Sequence, residues 1–161
     1  MDPGADQQPA AVRVRVVSGY GGYDGGGRDP AAAAYRQSRV LSSPPTDLVV
    51  MLYERLLADL RGAAIAIRSN DIERKSRRIQ RATDVLFELM ASLDHAQGGE
   101  ISQRLAALYS YMISRVGEAS RNLDAAAIDE VGGYVDSILQ EWTSVAKEAA
   151  AATSSPPPPG R

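Results

Sequence analysis

The chain has 161 residues, 44% of them apolar, with 18 basic and 20 acidic side chains and no cysteine. That length allows one domain of ordinary size. A net charge near −2 gives the molecule as a whole no electrostatic reason to bind nucleic acid or an acidic lipid surface, and without cysteine there is neither a disulfide nor a thiolate metal site.

Residues 1–34 are expected to be a disordered, Gly- and Ala-rich extension. Gly19 to Gly27 is nearly all glycine around Tyr20 and Tyr23, a composition that cannot build a core. Val12 to Val17 alternates Val and Arg, but a lone six-residue strand has no partner. The start of the chain has no basic stretch followed by an apolar run, so no secretory signal is expected. No apolar run nears the ~20 residues of a membrane span. A soluble, cytoplasmic protein is the expectation.

Residues 35–45 carry Tyr35, Val40 and Leu41 up to Pro44-Pro45. Proline suits the first helical position, because its missing N–H would be unpaired there anyway. Leu48, Leu52, Leu56, Leu60, Ala63 and Ile67 then recur at three- and four-residue spacing and predict a first helix. Asn70-Asp71-Ile72-Glu73 resembles a capping box and opens a second, in which Ile79, Ala82, Leu86, Leu89 and Leu93 follow an a/d pattern. Gly98-Gly99 breaks the chain.

A third helix is expected from about Glu100 to Ser120. At about 100° per residue, Ile101, Leu105, Leu108, Met112 and Ala119 share one side. Val116, Tyr109, Ile113 and Ala106 extend the apolar surface to an arc of roughly 160°, where a surface helix usually needs about 100°. This excess admits two readings. Tyr109, Ile113 and Val116 are core in a bundle where each helix touches two neighbours, or part of the arc is reserved for a partner.

Asn122-Leu123-Asp124 reads as a turn with an N-cap. The fourth helix carries Ile128, Val131, Val135, Ile138, Trp142 and Val145. It fades into Ala149–Ala152, and Pro156–Pro159 forbids its continuation. The expected architecture is an all-α, antiparallel up-down-up-down four-helix bundle over residues 46–150, with a disordered Pro-rich tail over 151–161.

Little in the chain suggests catalysis. His95, the single histidine, falls at a helix end beside Gly98-Gly99, whereas a phosphotransfer histidine belongs on an exposed helix face. A di-iron bundle needs two Glu-x-x-His motifs, and none is present. The Gly-rich patterns before residue 28 lack the strand–helix context of a phosphate loop. No enzyme, metal or cofactor is expected. Arg74, Lys75, Arg77, Arg78 and Arg81 read as a solvated face, since no aromatic interleaves them; a contact with an acidic partner is the other reading.

Several spaced motifs together resemble the flagellar secretion chaperone FliS family. They are Tyr35, Val40-Leu41, Pro45, Leu48 to Glu54, Asp71 to Lys75, Gly98 to Ile101, Leu105 to Arg115, Asp124 to Val131, and Trp142. Departures from the family pattern fall at Pro44, Arg55, Arg104, Val116-Gly117 and Ser120. The resemblance implies a cytoplasmic export chaperone that binds the disordered C-terminal segment of flagellin, prevents premature polymerisation and supports filament assembly. Export-gate components or another flagellar regulatory protein would be further partners, and the free protein a monomer or weak dimer.

On this reading the flagellin-binding groove comprises Leu52, Tyr53, Leu56, Leu105, Leu108, Tyr109, Met112, Ile113 and Val116. Tyr35, Val40 and Leu41 form a movable cap over it. Within the groove Leu52, Leu105, Leu108 and Met112 are expected mainly to hold the core, with Tyr109 and Ile113 facing the partner and Tyr53 between. The competing expectations are a histidine phosphotransfer bundle using His95 and a self-associating bundle whose extra apolar stripe is a dimer interface.

Overall fold

The computed structural model describes residues 45–154. The 1–34 extension, the expected cap residues Tyr35, Val40 and Leu41, and the prolines of the tail lie outside the described residues. Four helices follow one another: α1 (Pro45–Arg68), α2 (Ile72–Ala91), α3 (His95–Asn122) and α4 (Ala125–Ser154). They form an antiparallel four-helix bundle, as the periodicity predicts.

The short loops are built by terminal hydrogen bonds. At the end of α1, Asp71 N–H bonds to Ala66 C=O at 2.8 Å and Asn70 N–H to Ile67 C=O at 3.0 Å. Asn70 takes the left-handed φ of 56° that this Schellman arrangement requires. The expected capping box is therefore replaced by a division of roles. Asn70 closes α1, and Asp71 caps α2 by accepting the Arg74 N–H at 2.9 Å.

The next cap lies upstream of where the sequence places it. Asp94 accepts the N–H groups of Ala96 and Gln97 at 3.0 and 2.9 Å, so α3 begins at His95 rather than near Glu100. Gly98-Gly99 does not end a helix. Gly99 instead kinks α3, with φ 49° and ψ −125°, a conformation glycine adopts without a Cβ clash. At the other end Leu123 sits at φ 52°, Asp124 N–H reaches Ala119 C=O at 2.9 Å, and the Asp124 carboxylate accepts the Ala127 N–H at 3.0 Å. The alanines after Val145 stay helical, so α4 runs to Ser154, past residue 150.

The helix α1 is the centre of the packing. It lies most closely against α4 and α2, while the α2–α3 and α3–α4 contacts are thinner. Small residues permit this approach: Ala63, Ala64 and Ala66 are buried on α1, and Gly132 of α4 faces Leu57, whose Cδ1 lies 3.8 Å from where a Cβ would stand. Ion pairs Arg61–Asp136 (3.4 Å) and Arg68–Asp129 run along the rim of this contact. Leu56, Leu60, Leu86, Leu89, Met112 and Ile128 are fully buried, each removing about 1.5–3 kcal/mol worth of apolar surface from water.

Candidate functional site

The two Leu-Tyr pairs bring α1 and α3 together inside the bundle. Tyr53 and Tyr109 are both 0% exposed, and their hydroxyls hydrogen-bond to one another across 56 positions of sequence. Either phenol can be the donor of this bond. Burial raises the pKa of Tyr53, with the neighbouring Tyr109 adding to it, and burial likewise raises that of Tyr109. Both phenols are therefore held neutral.

This geometry corrects the expected division of labour. Tyr53, Leu56, Tyr109, Met112 and Val116 are 0% exposed, so none presents a surface to a partner while the bundle is closed. Leu52, Leu105, Leu108 and Ile113 are only partly buried, packed against the outside of the core. The tyrosines are inside, and Leu52, Leu105 and Leu108 are left partly exposed. The physical reason is the hydrogen bond: each phenol supplies the polar partner the other needs, so both can be buried with their rings as core volume.

Further partly buried residues of inward type recur along α3 and α4. The α3–α4 register is set by Tyr111 and Tyr134, whose rings meet edge to face at 6.2 Å. Both tyrosine hydroxyls donate to Glu130, at 3.2 and 3.1 Å. Arg115 donates to the same carboxylate at 3.2 Å and, with Tyr134, holds it below the usual carboxylate range. Running back along α3 and forward along α4 at about 1.5 Å per residue brings Leu108, Leu105 and Ile101 beside Ile138, Trp142 and Val145. These are inward a/d positions, yet Ile101 is 63% exposed and the other five are half-buried. The Glu130 network joins α3 to α4, and beyond it inward-type apolar positions on both helices stay partly exposed.

Sequence periodicity assigns Ile101, Ile138 and Val145 to the core and so misses them as lining residues. The available signal was the continuation of the α4 stripe over Trp142 and Val145, further than the neighbouring helices can cover. Ile113, like Leu105 and Leu108, is partly buried against the core. His95 is exposed as the first residue of α3. No cluster of metal-ligating side chains occurs among the described residues, and no helix there is long and apolar enough to cross a membrane.

The fold is an antiparallel four-helix bundle that leaves some inward apolar positions of α3 and α4 partly exposed. The fold agrees with a solved structure described as a flagellar chaperone from bacteria, with a TM-score of 0.61 at 13% identity, covering 74% of this chain and 99% of that one. Residues 28–149 match the family model of flagellar protein FliS. The flagellar secretion chaperone FliS of Salmonella typhimurium is 33% identical over 115 residues, 71% of this chain and 85% of that protein. The FliS of Bacillus subtilis is 35% identical over 109 residues, 68% and 80% of the two chains. The chain belongs to the FliS family of flagellar secretion chaperones.

Proposed function

We propose that the protein holds the disordered C-terminal segment of flagellin in the cytoplasm, prevents its premature polymerisation and presents it for export, as a binding protein without catalysis. The observation that supports this reading is partial exposure at inward-type positions, with Leu105, Leu108, Ile138 and Trp142 half-buried and Ile101 63% exposed; we take them to line a binding cleft between α3 and α4. A segment that orders on binding needs a preformed apolar surface to offset the entropy it loses. A row of inward-type side chains left open is such a surface. Leu52 belongs to the same reading from α1, and Tyr53, Tyr109 and Met112 form its floor rather than its contacts.

The test is a pair of substitutions that spares that floor, Ile101→Glu with Leu108→Glu. Affinity for a flagellin C-terminal peptide is expected to fall at least tenfold, or about 1.4 kcal/mol, with helical circular dichroism retained. Undiminished affinity in a folded double variant rejects the cleft.

A further inference from the structure

A second surface is built on the opposite side of the molecule, between α1 and α2. Its foundation is Asp59, whose side chain is 0% exposed and whose two oxygens are taken by Arg78 at 2.7 Å and Arg55 at 3.1 Å. The two arginines stay 31% and 50% exposed, so one buried carboxylate orients two guanidinium groups whose faces remain open to solvent. Gly62 leaves room for this: a Cβ there would stand 3.0 Å from the Arg78 Nε, so the guanidinium would have to shift by a few tenths of an ångström.

Arg74 and Arg81 flank Arg78 on the same side of α2, four residues before and three after. Neither side chain forms an ion pair among the described residues. Lys75, by contrast, turns inward and donates to the Ser120 carbonyl at 3.1 Å, and Arg77 is paired with Glu73. The result is a row of guanidinium groups, Arg74–Arg78–Arg81, spanning roughly 10 Å of helix. Arg55 joins it from α1 through the shared Asp59.

We propose that this row docks an acidic helical segment of a partner protein, with carboxylates three and four residues apart. Charge complementarity selects that occupant. Guanidinium groups repeating along a helix match carboxylates repeating at the same spacing on another helix. A nucleic acid or an anionic membrane is disfavoured, because the whole chain carries a net charge near −2 and no aromatic side chain stands among the arginines to stack on a base. The surface is separate from the α3–α4 cleft, so both could be occupied together.

The probe is an alanine-based peptide of about 16 residues with glutamates three and four residues apart, fluorescently labelled and titrated with the full chain. Binding is expected to weaken steeply between about 50 and 300 mM salt, to fall at least tenfold in Arg74→Ala/Arg81→Ala, and to be unchanged in Arg104→Ala, which lies elsewhere on α3. Equal binding by the wild type and the Arg74/Arg81 variant overturns the proposal, as does no binding at all. Tighter capture of a DNA duplex or of phosphatidylserine vesicles than of the peptide also overturns it.

Discussion

At the scale of single residues, the tyrosine pair is the most constrained feature of the bundle. The hydroxyls of Tyr53 and Tyr109 are each other's buried partner. Tyr53→Phe or Tyr109→Phe therefore strands the hydroxyl of the other. A stranded buried group costs about 1–3 kcal/mol, so either single variant is expected to be destabilised by about that much in urea unfolding. Adding the second substitution should cost little more, a coupling of at least about 0.5 kcal/mol; additive losses would mean the hydroxyls act independently. The pH dependence follows the same chemistry. Both folded pKa values are raised above the ordinary phenol value near 10, so the native state holds protons that the unfolded chain releases. The stability this contributes is complete below about pH 10 and is lost as pH rises above it. Unfolding midpoints at about pH 9 and about pH 11 should therefore diverge more in the wild type than in the doubly Phe variant.

At the scale of elements, the helices were legible because their signals are local. Asp71, Asp94 and Asp124 each accept N–H groups at a helix start, and the apolar period marks each span. The errors came where two local signals competed. Gly98-Gly99 reads as a break, but the Asp94 cap has already opened α3, and the kink absorbs the glycine. Leu123 is the costliest local choice. It occupies the left-handed region at φ 52°, which costs an L-residue about 1–2 kcal/mol, while its side chain is 44% exposed and contributes little burial. Leu123→Gly is expected to stabilise the protein by about 1 kcal/mol and to raise its thermal midpoint by several degrees. An unchanged or lower midpoint would show that the Leu123 side chain stabilises the turn more than the backbone strain costs.

At the scale of the whole molecule, α1 holds the bundle together and the α3–α4 side is the thinner one. The proposal that flagellin binds at that side raises the question of what shields those apolar positions in the free protein. The family resemblance implies a cap around Tyr35, Val40 and Leu41, each worth about 1.5–3 kcal/mol when buried, enough to hold an intramolecular contact and little enough to displace. Deletion of residues 1–43 is then expected to raise the association rate of a flagellin peptide in stopped-flow fluorescence. A slower or unchanged rate counts against the cap. The self-associating alternative is separated by sedimentation: a species that stays monomeric until flagellin peptide is added, and then gains only the peptide's mass, excludes a dimer across the cleft.

The sequence by itself determined the number, order and handover of the helices. Caps such as Asp71 and Asp124 and the repeat of Leu48 to Ile67 act within a few residues of one another. It also carried the family resemblance, through motifs spread over most of the bundle. Only the tertiary structure decided which side of a broad apolar arc is buried. Leu105, Leu108 and Tyr109 lie on one continuous apolar surface of α3, and periodicity ranks the leucines as core. The choice fell the other way because Tyr109 meets Tyr53 from a helix 56 residues distant, and that hydrogen bond makes the phenol a good core residue. Leu105 and Leu108 stay only partly buried, an outcome that depends on how α3 packs against its neighbours and that no local pattern encodes.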